Sequence, residues 1–244
     1  MVGASSGLGR CIAVGLGQRG AQVALLARRR DRLESAATEA GNGAIAIECD
    51  VTDETSVAAA ITKAAADLGG IDALVYTPGL GVLARLVDTT AEMWRAVFDT
   101  NVTGAALVTA AAVPHLRATR GRALYLSSVT SSLTPPWPGL GAYGVSKAAL
   151  DRLVETWRAE HSDIDFTCCV IGDCAGGDAD GATGFADGWD MELLTECYAI
   201  WSERGLISGT YVDVEHLVET ISAVLHSGAS LSIPSITLIP RPKG

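Results

Sequence analysis

Tyr143 and Lys147 stand four residues apart in Tyr143-Gly144-Val145-Ser146-Lys147. On a helix that spacing puts a phenol and an ammonium on one face. A neighbouring cation favours the phenolate, so Lys147 is expected to lower the Tyr143 pKa from its ordinary value of about 10. A phenol tuned in this way donates a proton to a carbonyl oxygen, or takes one from an alcohol, near neutral pH. The same pair arises often by chance. Its meaning rests on what surrounds it.

A second cluster lies at the start of the chain. Gly3-Ala4-Ser5-Ser6-Gly7-Leu8-Gly9 precedes a helix-like run over 10–20. Glycines there let backbone N–H groups approach a pyrophosphate, which the helix N-terminus then stabilises. The spacing G-x-x-x-G-x-G differs from the common G-x-G-x-x-G fingerprint, and alone it reads equally as a glycine-rich turn. At the end of the next strand-like run, a site for NAD offers an acidic residue to the ribose. Here Ala27 is followed by Arg28-Arg29-Arg30. A guanidinium binds a 2′-phosphate bidentately, so NADP(H) is expected over NAD(H). Arg28 is the first candidate for that contact and Arg29 the second, one register step away.

The elements that must hold these groups alternate along the chain. Strand-like runs cover 23–27, 44–49, 71–76, 122–127, 164–171 and 231–239. Helix-like runs cover 29–40, 54–68, 91–116, 142–160 and 214–226, the third of them interrupted near 101–104. Asp53 is suited to cap the second of these helices, and Gly69-Gly70 to end it. This alternation predicts a parallel sheet covered on both faces, an α/β fold of the doubly wound Rossmann type. With 244 residues, 48% of them hydrophobic, and no linker or repeat, one domain over 1–244 is expected.

Composition excludes several partners. The 18 Lys+Arg against 28 Asp+Glu give a net charge of −10, which argues against nucleic acid and anionic membrane surfaces. The longest uncharged apolar run, 105–113, is too short to span a bilayer, and the apolar stretch 11–17 lacks a signal-peptide cleavage site. The six cysteines form no C-x-x-C pair, and with the four histidines they show no metal-ligand spacing. A reduced, cytoplasmic setting is expected. Residues 172–203 carry eight acidic residues and no Lys or Arg, beside Phe185, Trp189, Tyr198 and Trp201. An irregular stretch this late in an α/β chain suits a lid over the substrate, at about 172–210.

Taken together, residues 3–9, Asp50-Val51, Asn101, Ser127-Ser128 and Tyr143…Lys147 resemble the short-chain dehydrogenase/reductase family in order and separation, over nearly the whole chain. The resemblance implies a catalytic tetrad of Asn101, Ser128, Tyr143 and Lys147. Ser128 would hydrogen-bond the substrate oxygen, Tyr143 would pass the proton, Lys147 would also hold the nicotinamide ribose, and Asn101 would help hold a relay water. The cofactor would lie on Gly3, Ser5, Ser6, Gly7, Leu8, Gly9, Arg28 or Arg29, Asp50, Val51, Gly79 and Gly172, with Tyr143 and Lys147. Asp50 would accept from the adenine amino group, beside a backbone contact of Val51. The implied activity is hydride transfer between NADP(H) and a small-molecule carbonyl or secondary alcohol, in a homodimer or homotetramer. The alternative is a catalytically weak or inactive sensor or scaffold that binds the dinucleotide.

The chain also departs from the family. Val2 stands in place of the usual Thr, and Tyr76-Thr77-Pro78-Gly79 replaces the usual Asn-Asn-Ala-Gly, removing two amides and one backbone donor. Ile171-Gly172 replaces a Pro-Gly, and Gly176 stands where a Thr usually lies near the carboxamide. The interval from Ser128 to Tyr143 is about two residues longer than usual, which leaves Thr130 and Ser131 as substitutes for Ser128. The ending over 232–240 resembles relatives that act on small hydroxy acids, whereas the acidity of 172–203 disfavours a strongly anionic substrate. Finally, the turn at residue 3 needs a first strand to feed it, between 23–27 and 71–76. The sequence has no such strand ahead of the turn. The expectation is a chain that starts further upstream, or a slot filled by something else, with residues 3–9 poorly anchored.

Overall fold

The computed structural model describes residues 1–176, 185–228 and 230–242. Its centre is a parallel sheet. Strands β1 (Ala24–Ala27) and β2 (Ile45–Glu48) pair with each other. Strands β3 (Ala73–Tyr76), β4 (Arg122–Ser128) and β5 (Asp165–Ile171) pair in that order, with β8 (Ser235–Leu238) beyond β5. The short strands β6 (Cys174–Ala175) and β7 (Val212–Asp213) form a separate parallel pair. From Ala123 to Ser128 in β4, and from Phe166 to Ile171 in β5, every residue is buried. Such unbroken buried runs mark central strands covered on both faces.

Two apolar cores lie on either side of the sheet. On one side α1 (Gly7–Gln18), α2 (Arg30–Ala40) and α8 (Val214–Leu225) bury Ile12, Leu16, Leu33, Leu217 and Ile221. On the other, α3 (Glu54–Leu68), α5 (Gly104–Thr119) and α6 (Gly141–Glu160) bury Val57, Ile61, Val108, Leu116, Leu150 and Val154. Asp53 caps α3 as expected, accepting from Thr55 N at 2.8 Å and Ser56 N at 3.2 Å. The fold is therefore the doubly wound α/β arrangement that the alternation predicts.

Four expectations need correction. Met1, Val2 and Gly3 occupy the end of the first-strand slot nearest the glycine-rich turn. Val2 bridges Leu26 of β1 on one side and Tyr76 of β3 on the other, and so joins the two parts of the sheet. Val2 N donates to Val75 O at 2.9 Å, Gly3 N to Leu26 O at 2.8 Å, and Thr77 N to Val2 O at 3.1 Å. The turn is thus anchored from both sides, where poor anchoring was expected.

Second, the long helical region over 91–116 is three pieces: α4 (Ala91–Phe98), a π-helical stretch Asp99–Thr103, and α5. Third, Ala91–Thr119 as a whole has the length and apolarity of a membrane span, which a search for the longest uncharged run overlooks. In this fold α5 packs on β3, β4 and α3 as a core helix. Fourth, the segment 172–210 is not loop throughout, because it contains α7 (Met191–Glu203), capped by Asp190. Of that segment, 177–184 lies outside the described residues.

Candidate active site

The site opens at the carboxyl ends of the strands, the usual ligand position in such sheets. It is a cleft of about 840 Å³. One end is lined by Gly3, Ser5, Ser6, Gly7, Leu8 and Gly9 with Arg28, Arg29, Asp50 and Val51; the other holds Ser128, Tyr143 and Lys147, and Gly79 and Gly172 also line it. Apart from Asn101, which is fully buried, and the substitute hydroxyl Ser131, every catalytic or cofactor-binding residue proposed from sequence lines this one cavity.

At the first end, geometry leaves room for backbone and little else. Gly3 and Gly7 adopt φ of +83° and +57°, a conformation side chains disfavour. A Cβ on Gly9 would stand 2.3 Å from both Gly3 O and Thr77 Oγ1, so the turn closes only on glycine. Ser6 occupies the N-cap of α1 without a capping side-chain bond, and the first turn of α1 carries no acidic residue. That end of the helix keeps its positive dipole and its N–H donors for an anion. Between the two candidate arginines, geometry favours Arg29. It donates to Ser5 Oγ at 3.1 Å and to Ser6 Oγ at 2.5 Å, and so lies across the glycine-rich turn. Arg28 lies nearer Asp50, whose carboxyl it helps to hold below its ordinary pKa. The larger cause of that lowering is local. Asp50 Oδ1 accepts from Thr52 N at 3.0 Å and from Thr52 Oγ1 at 2.8 Å.

At the other end, α6 carries Tyr143 and Lys147 on one face as expected, and the Lys147 Nζ lies 5.8 Å from the Tyr143 ring centre. The expected lowering of the phenol pKa does not occur. Burial pushes Tyr143 up to about 12, against the smaller opposing effect of its hydrogen bond with Ser128, and Asp151 adds to the rise. Lys147 is itself buried, and desolvation pushes its ammonium down to about 8. Its Nζ donates to Leu126 O at 2.8 Å on β4. The interior of the site thus penalises charge on both groups more than either relieves the other.

Ser128 ends β4 and faces the phenol. Its Oγ accepts from Thr130 N at 3.2 Å and from Thr130 Oγ1 at 3.0 Å. Of the three candidate hydroxyls, Ser128 is the one whose interaction with Tyr143 favours the ionised phenol. Thr130 serves it, and Ser131 Oγ is buried with no partner among the described residues.

Asn101 sits in the π-helical stretch, fully buried. Its Oδ1 accepts from Leu80 N at 2.7 Å, and its Nδ2 donates to Leu80 O at 3.0 Å and Ser146 Oγ at 2.8 Å. Both amide hydrogens are therefore taken by protein groups. The side chain ties the π stretch, the loop after β3 and α6 together, which gives it a positioning part.

Two functional contributions escape a reading of the sequence, both in the altered segment after β3. Tyr76 Oη donates to Thr100 O at 2.5 Å, reaching into the π stretch beside Asn101. Gly104 leaves space for it, since a Cβ there would meet Tyr76 Oη at 2.8 Å. Thr77 Oγ1 donates to Val2 O at 2.7 Å and packs between Gly3 and Gly9. The lost amides are thus replaced by two hydroxyls that fasten both ends of the site. A run of hydroxyl-bearing residues at a strand end is the available signal.

The short chain dehydrogenase family model matches residues 1–177. The chain belongs to this family. Among its relatives, 11-beta-hydroxysteroid dehydrogenase-like 2 of Arabidopsis thaliana is 34% identical over 178 residues, 70% of this chain and 57% of that protein. The chain spans about half the length of several curated relatives it matches. Among solved structures, an alcohol dehydrogenase from the archaeon Thermococcus sibiricus, complexed with 5-hydroxy-NADP, superposes with a TM-score of 0.82 at 25% identity, covering 100% of this chain and 97% of that one. A short-chain type dehydrogenase/reductase from Mycobacterium marinum gives 0.82 at 27%, covering 98% and 92%. The dehydrogenase family match ends within the first residues of the acidic segment.

Proposed function

We propose that the chain is an NADP(H)-dependent oxidoreductase acting on a carbonyl or secondary alcohol, with Tyr143 as general acid/base. The observation that carries this reading is the single cleft that joins a glycine-rich helix N-terminus to a half-buried Tyr143 beside the buried Ser128 and Lys147. A nicotinamide dinucleotide fits the donor set. The free first turn of α1 suits a pyrophosphate, and Arg29 suits a 2′-phosphate. Gly79 leaves space beside the lysine, where a Cβ would stand 3.5 Å from Lys147 Nζ. When bound, the nicotinamide supplies or takes the hydride.

The chain's own residues do the rest. Tyr143 holds a proton on its phenol oxygen, because burial keeps it neutral at ordinary pH. Ser128, beside that phenol, orients a substrate oxygen toward it. Lys147 places a positive charge beside the phenol as its proton leaves, which stabilises the developing phenolate. Asn101 keeps α6 and the loop after β3 in register. Asp173 and Asp187 also line the cleft, so a neutral carbonyl suits the site better than an anionic one.

The same reading takes the chain as one catalytic domain whose 172–210 segment covers the substrate end, working as a small-molecule enzyme in a homodimer or homotetramer. Among the described residues no cysteine pair forms a disulfide, which suits a reducing, cytoplasmic compartment. The test is NADPH consumption across a panel of neutral ketones, followed at the nicotinamide absorbance. Turnover of at least one ketone, faster with NADPH than NADH, supports the reading. Tight NADPH binding without turnover of any ketone or alcohol would return the chain to a dinucleotide-binding sensor.

A further inference from the structure

The wall opposite Tyr143 is built by residues beyond the stretch matched to the family. Phe185 stands edge-on to the Tyr143 ring, with ring centres 4.9 Å apart at 68°. On its other side lies Trp189, at 5.2 Å and 69°. Beneath it is Gly81, whose lack of a side chain forms the seat: a Cβ there would stand 2.4 Å from Phe185 Cζ and 2.6 Å from Cε2. The Phe185 ring and any side chain at position 81 therefore exclude each other. Trp189 locks the seat from behind, donating Nε1–H to Gly81 O at 2.9 Å. Trp189 in turn packs on the cluster of Leu83, Leu140, Cys197 and Trp201, where Trp201 Nε1 donates to Pro138 O at 2.8 Å.

We infer that Phe185, seated on Gly81, is the residue that sets substrate size, restricting the site to neutral carbonyls with a small group on the side facing α7. This rests on the oxidoreductase reading above. A ketone whose oxygen meets Tyr143 and Ser128 must place one of its two substituents beside the Phe185 ring. That ring is held on three sides by Tyr143, Gly81 and Trp189, so a bulky substituent has to displace it. The contact is apolar and aromatic, and one added or removed group in such a pocket changes discrimination by about ten- to two-hundredfold.

The test compares 2-butanone with 2-acetylnaphthalene in the parent, Phe185→Ala, Gly81→Ala and the double variant. The ratio of kcat/KM, bulky over small, is expected to rise at least tenfold in Phe185→Ala. Gly81→Ala is expected to raise it in the same direction, although it adds a methyl group, because it expels the ring. In the Phe185→Ala background, Gly81→Ala should change the ratio less than twofold, since the two substitutions act on one contact. Binding of the same ketones, read by fluorescence of Trp189 and Trp137, provides a second measure that needs no turnover. Exclusion of the bulky ketone by the parent and its admission by Phe185→Ala support the wall even if no ketone is reduced, which would count only against the oxidoreductase reading. A ratio and a binding selectivity both unchanged in Phe185→Ala would overturn the inference.

Discussion

Tyr143 and Lys147 divide the work of one proton transfer unequally. The phenol keeps its proton up to about pH 12, while the neighbouring ammonium loses its own near pH 8. For both groups burial is the largest cause, and it acts against charge on each. Ketone reduction needs a protonated phenol and a charged lysine beside it, so the rate is expected to be level below pH 8 and to fall as pH rises through about 8. The limb belongs to Lys147. In Lys147→Arg the guanidinium stays charged throughout, and the limb should vanish even if the plateau drops; a limb that persists near pH 8 would assign it elsewhere. At the cofactor end, Arg29→Ala removes the cation over Ser5 and Ser6. A charge-assisted contact of this kind contributes about 1.5–3 kcal/mol, so NADPH affinity should fall roughly ten- to hundredfold. NADH affinity should stay within a few-fold. Arg28→Ala is expected to have the smaller effect, and titration of both variants with both cofactors separates the two arginines.

The turn over residues 3–9 depends on one hydroxyl that belongs to another element. Thr77, just after β3, bonds Val2 O and fills the space between Gly3 and Gly9. Thr77→Val keeps the shape and removes the bond, leaving a carbonyl at the sheet's centre without its side-chain donor. The expected cost is about 1–2 kcal/mol, seen as a lower denaturation midpoint together with weaker NADPH binding. An unchanged midpoint and affinity would show that the bond does not hold the turn. Gly9→Ala should abolish NADPH binding, because its methyl would collide with backbone as well as with Thr77. Such dependencies are poorly legible in sequence. Asp53, Gly69 and the alternation of apolar runs place the helices and strands well, because caps and periodicity are local signals. The π stretch holding Asn101 is different. It depends on Tyr76 reaching Thr100 O through the gap at Gly104, a contact between residues 24 and 28 positions apart. The pKa of Tyr143 escapes the sequence for the same reason, since spacing reveals Lys147 but burial depends on the whole fold.

Across the whole molecule, the stretch matched to the family and the aromatic residues that wall the Tyr143 end come from different parts of the chain and meet at the cleft. Strands β1 to β5, the glycine-rich turn and the Tyr143 cluster fall within residues 1–177 matched to the family, and only the edge strand β8 of the main sheet lies beyond them. The aromatic wall of Phe185, Trp189 and Trp201 falls after them, and its sequence shows only a set of aromatic residues in an acidic stretch. Which of these face the cleft becomes visible only with Gly81 in place beneath Phe185. Val145 and Ala148 on α6, and Ala110 on α5, are exposed. Light scattering at micromolar concentration is expected to show a dimer or tetramer, and a monomer would contradict it. The central claim is that Tyr143 transfers the proton in a dinucleotide-dependent reduction. Its most direct test is single-turnover ketone reduction by Tyr143→Phe, with NADPH affinity titrated on the same preparation. The account predicts loss of reduction by at least about a thousandfold, within the usual reach of general acid catalysis, while affinity stays within a few-fold of the parent. Reduction at the parent rate by Tyr143→Phe would contradict it.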